Sequence, residues 1–119
     1  MTDSGGAADL SAEDRKLVTL ARATRARTGA AEGAAVRDQD GRTYAAATVD
    51  LPSLRVSALQ TCVAMAVASG STGLEAAVLL TASGTVSEPD LAAVRDLGGA
   101  GVVVHVGDPR GVLGSTTAT

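Results

Sequence analysis

The feature that most restricts the fold is a stretch without a single charged side chain, residues 56–70 (VSALQTCVAMAVASG). Its larger apolar residues recur with the spacing of a helix, at Val56, Leu59, Cys62, Val63, Ala66 and Val67. A helix that offers so little to water has to be covered on most of its surface. The uncharged interval continues to Leu74, and its 19 residues are long enough to cross a bilayer, but hydroxyl and amide side chains and the glycines Gly70 and Gly73 interrupt it. We therefore predict a buried helix that begins at Leu54 and ends at Ser69, and no membrane association.

Composition and charge limit the classes of function. The 119 residues suffice for one domain, which we place at residues 10–114 between a disordered tail, residues 1–9, and a flexible tail, residues 115–119. One Tyr and no Phe or Trp leave no platform on which bases could stack, and a net charge of −3 argues against nucleic acid binding. The lone Cys62 excludes an internal disulfide, and no leader pattern is visible, so we expect a cytoplasmic protein.

The positive charges concentrate in one helical segment, at Arg15, Lys16, Arg22, Arg25 and Arg27. Such a run is usually the solvated surface of a helix, and Glu13 and Asp14 partly offset this one. An acidic partner, RNA or an acidic protein, is the alternative interpretation.

The order of the elements predicts the fold class. The patterns predict a helix over residues 11–28, strands over 33–37 and 43–50, the uncharged helix, a strand over 74–81, a helix from Ser87 to Gly98 and a strand over 101–106. Asp40 and Gly41 tolerate positive φ and indicate a hairpin between the first two strands. The last two strands flank a helix, so they should be parallel. We predict an α/β protein, a three-layer α/β/α sandwich with a mixed sheet of four to five strands.

Three short segments carry a resemblance to a known family: GAAV at residues 33–36, DGR at 40–42 and TVD at 48–50. They resemble the small, homotetrameric cytidine deaminases, which begin with a helix, a Gly-Ala-Ala-Val strand, an Asp-Gly hairpin and a strand ending in Asn-x-Glu. The resemblance covers residues 17–111 and implies a cytidine deaminase-like fold. It also implies a homodimer or homotetramer through the uncharged helix, whose small residues permit close helix approach.

The zinc motifs of that family are altered in this sequence. The family binds zinc with Cys or His from a Cys-Ala-Glu motif and with two cysteines from a Pro-Cys-x-x-Cys motif. The metal activates water and the Glu transfers protons. Here Ser-Ala-Leu stands at the first motif, and the second falls near residues 87–91 (SEPDL) without a cysteine. The degenerate positions are then Ser57, Leu59, Glu88 and Leu91, so we expect no zinc, no metal ligand and no catalytic residue.

Other residues do not replace the missing chemistry. Cys62 lies in the apolar pattern of its helix and His105 lies inside an apolar strand, so a core thiol and a satisfied histidine are better interpretations than zinc ligands. Ser57 lacks the surroundings of a nucleophile and is better explained as a residue at a helix start.

The sequence also has few residues that could bind a pyrimidine nucleoside. Tyr44 is the only aromatic residue, and its position in a strand favours cross-strand packing. Thr48 and Asp50 stand where the family's Asn-x-Glu would bind the ribose, so they are the candidate substrate-binding residues. The chain ends soon after Leu113, and we expect the segment that completes the neighbouring subunit's pocket in the family to be short or absent.

Three functions remain open at this point. The first is a catalytically inactive deaminase-like protein that serves as an oligomeric binding or scaffold subunit. The second is an enzyme that deaminates a cytidine-like nucleoside with an unconventional site. The third is a sensor that binds a pyrimidine nucleoside without turnover and uses Thr48 and Asp50.

Overall fold

The structure is a computed structural model that describes residues 10–119, so the tail expected at residues 1–9 lies outside the described part. Its elements in chain order are α1 (Ala12–Thr28), β1 (Gly33–Asp38), β2 (Thr43–Ala47), β3 (Val49–Leu51), β4 (Leu54–Val56), α2 (Ala58–Ala68), β5 (Leu74–Leu80), α3 (Glu88–Gly98), β6 (Val103–Gly107) and β7 (Leu113–Ala118). Five of the strands form one mixed sheet, and β3 and β4 form a separate hairpin.

The strand order of the main sheet is β2-β1-β5-β6-β7. β1 is antiparallel to both of its neighbours, β5 and β6 are parallel, and β7 is antiparallel to β6. The parallel pair is the one that the sequence predicts, because α3 returns the chain from the end of β5 to the start of β6. The predicted mixed sheet is confirmed.

Alternate residues along the strands fill two separate cores. Ala34 and Val36 of β1 lie in the core beneath α2 and α3, whereas Ala35 lies on the opposite face with Leu17 and Ala21 of α1. This period of two is what a sheet covered on both faces requires. The three-layer α/β/α arrangement is therefore confirmed.

A serine side chain caps each of the three helices, and α1 and α3 start where the sequence predicts. The hydroxyls of Ser11, Ser57 and Ser87 accept the backbone N–H of the third residue after them. Gly29 ends α1 with φ of 67°, in the left-handed region that glycine adopts without strain.

The segment before α2 corrects the predicted start of that helix. Leu54–Val56 is a strand that pairs with Val49–Leu51, and Pro52 and Ser53 form the turn between them. The helix begins at Ala58 and not at Leu54. Three residues are too few to distinguish a strand from a helix by their pattern, and the pairing with Val49–Leu51 makes this segment a strand. The predicted strand over residues 43–50 is accordingly divided at Thr48.

The carboxyl-terminal residues correct a second prediction. Residues 115–119 were expected to form a flexible tail, yet most of them belong to β7, which pairs with β6 from Leu113 to Ala118. Thr119 adds a hydrogen bond from its hydroxyl to the Gly99 carbonyl oxygen, at 2.6 Å. Small polar residues carry no apolar alternation, so only the free edge of β6 makes this segment a strand.

The uncharged helix α2 is covered on one side only. Leu59, Cys62 and Ala66 are fully buried against the sheet. The opposite side, which we call the α2 outer face, consists of Ala64, Val67 and Ala68, all exposed. Among residues 10–119, no helix combines the length and the apolar character needed to span a membrane.

Candidate site at the amino-terminal ends of α2 and α3

Four polar residues meet where α2 and α3 begin, and we call Ser57, Gln60, Ser87 and Asp90 the Asp90 cluster. Oδ1 of Asp90 accepts hydrogen bonds from the Ser57 hydroxyl at 2.7 Å and from Nε2 of Gln60 at 3.0 Å. Asp90 is only 5% exposed to solvent. The cluster thus connects the first turns of two helices that lie far apart in the sequence.

The local sequence explains this arrangement. Ser57 caps α2 by accepting the N–H of Gln60, and Ser87 caps α3 by accepting the N–H of Asp90 at 3.3 Å. Each helix therefore presents its third residue beside its capping serine. A carboxylate suits this place, because unpaired N–H groups give helix starts a partial positive charge.

The structure brings together a different set of residues from the one that the sequence predicts. Leu59 is fully buried in the core, and Leu91 packs against the same core. Glu88 points to solvent, with 76% of its side chain exposed, near Arg95. Asp90 and Ser87 were missed as site residues, although the spacing Ser-x-x-Asp and Ser-x-x-Gln of two capped helices was the available signal.

The candidate substrate-binding residues have other partners. The Thr48 hydroxyl accepts the backbone N–H of Glu32 at 3.0 Å, which joins the end of β2 to the chain before β1. Asp50 lies on the exposed β3–β4 hairpin, where it pairs with Arg55 at 3.3 Å. In this structure both side chains contact other groups of the same chain, and their role toward a nucleoside stays a prediction.

Tyr44 lies away from the Asp90 cluster. Its ring packs against the core beneath α2 and lies opposite Val36, as a cross-strand packing role predicts. Its hydroxyl lies 3.3 Å from Asp38 and 3.3 Å from Ser71, and Ser71 follows the carboxyl end of α2. The length of α2, about 16 Å for its eleven residues, separates this hydroxyl from the cluster.

A cleft of about 450 Å³ opens at the carboxyl ends of β5 and β6. Its lining includes Thr81, Gly84, Gly107, Asp108, Val112 and Ser115. Asp108 lies in the turn that follows β6, where its carboxylate accepts hydrogen bonds from the N–H groups of Val112 and Arg110. These bonds lower the pKa of the Asp108 carboxyl. Ser57 and Asp90 do not line this cleft.

The fold is that of a three-layer α/β/α protein, and its α2 and α3 start beside each other at the Asp90 cluster. A family model described as cytidine deaminase-like matches residues 10–111, so the chain belongs to the cytidine deaminase-like family. This confirms the family resemblance.

Solved structures of cytidine deaminases share the fold. The chain is similar to the enzyme from Burkholderia pseudomallei, with 20% identity, a TM-score of 0.73 and 92% of each chain covered. It is also similar to the enzyme from Mycobacterium leprae, with 18% identity, a TM-score of 0.71, and coverage of 91% of this chain and 94% of that one. At these identities the likeness is one of fold. A comparison with curated proteins found no match.

The residues at the cluster do not fit a zinc ion. Catalytic zinc sites take three protein ligands from Cys, His and carboxylate side chains. In the Asp90 cluster, Ser57 and Ser87 offer hydroxyls, and the Asp90 carboxylate already accepts two hydrogen bonds. Within residues 10–119, no group of three or more His, Cys, Asp and Glu side chains is arranged to hold a metal.

The two softer ligand types lie on opposite faces of the sheet. Cys62 is fully buried in the core beneath α2, and burial raises the pKa of its thiol to about 12. His105 faces α1, where its Nε2 lies 2.9 Å from the Asp14 carboxylate and its Nδ1 lies 3.4 Å from the Thr116 hydroxyl. A thiol and an imidazole separated by the sheet cannot share one metal.

Proposed function

We propose that this protein is a catalytically inactive member of the cytidine deaminase-like family that serves as an oligomeric binding or scaffold subunit. The observation that supports inactivity is Leu59, a fully buried leucine where the resemblance puts the proton-transferring Glu. A hydrocarbon side chain neither accepts nor donates a proton, so general acid–base catalysis has no agent at this position.

The nearest carboxylate is not a substitute. Oδ1 of Asp90 is held by the Ser57 hydroxyl and by the Gln60 amide, and the residue is almost completely buried. The same side chains leave no zinc ligand set that could activate a water molecule. Pyrimidine nucleoside turnover would need both groups.

Direct assay of the purified chain tests the inactive half of the proposal. The protein is incubated with cytidine and deoxycytidine, with and without added zinc, and uridine formation is followed by chromatography. A cytidine deaminase from a similar solved structure serves as the positive control. We expect no uridine above the protein-free rate. Uridine formation that scales with protein concentration and co-elutes with the folded chain through a second chromatography step would contradict the proposal, whereas activity that separates from the chain in that step would come from a contaminating enzyme.

The surface beside α2 supports assembly with a second copy of this chain. A groove of about 300 Å³ runs between α2 and α3, and Val63, Val67, Ala93 and Leu97 supply its apolar lining. Val67 is 55% exposed, and the alanines beside it permit close approach of another helix. Asp96 also lines the groove, but the α2 outer face beside it is uncharged, as is typical of a surface that a partner covers.

Light scattering after size-exclusion chromatography tests the assembly half. We expect a homodimer or homotetramer whose population rises with protein concentration. A monomer at every concentration would contradict it.

Cys62 is a free thiol, as is usual for proteins of a reducing compartment, so we propose that the protein is cytoplasmic.

A further inference from the structure

We propose that the Asp90 cluster is a metal-free clasp, which joins the starts of α2 and α3 by hydrogen bonds in the place where the family resemblance expects a metal. The disagreement between the family's zinc motifs and these side chains is what suggests it. A zinc ion held by one motif at the start of α2 and another at the start of α3 would join the two helices. Here Asp90 does so through Ser57 and Gln60.

The contacts also identify which residues stand at the three ligand positions. A Pro-Cys-x-x-Cys motif places its cysteines three residues apart, and both Ser87/Asp90 and Glu88/Leu91 satisfy that spacing. Among these four residues, Asp90 is the one that accepts a hydrogen bond from the Ser57 hydroxyl, and Ser87 is the one whose hydroxyl accepts the N–H of Asp90. The structure assigns the three positions to Ser57, Ser87 and Asp90.

Burial explains why the clasp has to be complete. A carboxylate that is 5% exposed needs hydrogen-bond donors, since an unsatisfied buried charge is costly. Ser57 and Gln60 supply these donors from the first turn of α2. Removing Ser57 takes one of two donors from the buried Asp90 carboxylate, and removing Asp90 takes the acceptor from the Ser57 hydroxyl, so the contributions of the two residues to stability must be coupled.

Thermal unfolding of the full chain tests the metal-free character. We expect the same Tm after dialysis against a chelator and after addition of zinc. A Tm that falls with the chelator would overturn the proposal. Asp90→Ala should lower Tm by roughly 5 to 10 °C, whereas the control Glu88→Ala, an acidic residue in the same turn of α3 whose side chain is 76% exposed, should change it by less than about 2 °C.

The coupling is measured with Ser57→Ala, Asp90→Ala and the double variant. We expect the double variant to lose clearly less than the sum of the two single losses, because the hydrogen bond between the two side chains is lost only once. Additive losses would overturn the clasp.

A gain-of-metal design tests the assignment of the positions, and it remains informative if Asp90→Ala does not fold. The variant Ser57→Cys/Ser87→Cys/Asp90→Cys replaces the clasp with three thiols, and its register control is Ser57→Cys/Glu88→Cys/Leu91→Cys. We expect one zinc per folded chain in the first and none in the control. A first variant that folds without binding zinc would overturn the assignment. Zinc binding by these variants depends neither on assembly nor on turnover by the natural chain. The assignment of the positions can therefore be wrong while the proposed function is right.

Discussion

His105 of β6 and Asp14 of α1 lie 2.9 Å apart, from Nε2 to Oδ2, although ninety-one positions separate them in the chain. Arg37 of β1 lies 3.0 Å from the other oxygen of Asp14 and also pairs with Glu75 of β5 at 2.9 Å. A line of polar contacts therefore crosses the sheet beneath α1. Through Asp14 it joins the amino-terminal helix to β1 and β6, and through Arg37 it joins β1 to β5.

The first prediction concerns the pH dependence of this contact. Burial opposes ionisation of Asp14, but the contacts with His105 and Arg37 outweigh it and hold the pKa of the carboxyl below its usual value of 3.8. The stabilisation is therefore present above pH 4 and is lost as the pH falls through the lowered pKa. At pH 7, Asp14→Asn should lower Tm by about 5 °C.

The same variant supplies its own control at low pH. As the pH falls through the lowered pKa, the carboxyl of the natural protein becomes neutral like the amide of the variant, so the Tm difference between the two proteins should shrink. Thermal unfolding followed by circular dichroism from pH 2 to pH 7 measures it. A difference that stays constant over that range would exclude an ionised Asp14 as its cause.

The second prediction concerns Asp38, a fully buried carboxylate at the end of β1. It accepts the N–H groups of Asp40 and Arg42, both at 2.9 Å, and the hydroxyl of Ser71. Burial raises the pKa of this carboxyl, but these hydrogen bonds outweigh it and keep the pKa below its usual value. Asp38→Ala should reduce the free energy of unfolding by about 3 kcal/mol, because several donors lose their acceptor.

A smaller substitution provides the comparison for Asp38. Tyr44→Phe removes one peripheral hydroxyl and keeps the ring, so it should cost about 1 kcal/mol or less. Urea denaturation at pH 7 measures both values. Equal losses for the two variants would show that Asp38 does not organise the hairpin.

The third prediction concerns the α2 outer face. Val67→Glu places a charge on the surface that we propose to be covered by a second copy, so it should weaken association at least about tenfold. Val112→Glu is the matched control, because Val112 is also exposed, at 64%, but lies before β7 and away from α2. Light scattering across a concentration series compares the two variants. If Val112→Glu dissociates the assembly and Val67→Glu does not, the interface lies elsewhere.

The fourth prediction concerns the reactivity of Cys62. Burial raises the pKa of its thiol to about 12, so hardly any reactive thiolate is present at pH 8. Ellman's reagent should not label the folded protein within minutes and should label one thiol per chain in denaturant. Rapid labelling of the folded protein would show that α2 separates from the sheet.

The sequence determined the local structure wherever a few neighbouring residues are sufficient to specify it. Ser11, Ser57 and Ser87 start the three helices, because a serine hydroxyl satisfies an N–H group only three residues away. Asp40 and Gly41 likewise form the turn between β1 and β2, with Gly41 at φ of 85°. The continuous apolar runs at residues 74–81 and 101–106 then indicated strands that are covered on both faces.

Tertiary structure alone decided which distant groups became partners. Residues 54–56 are a strand because β3 lies beside them, and residues 115–118 are a strand because the edge of β6 is free. The partnership of Ser57 with Asp90 likewise depends on how two helices pack on one sheet. These contacts join residues tens of positions apart, so their geometry comes from the packed layers, whereas a cap or a turn needs only its neighbours in the chain.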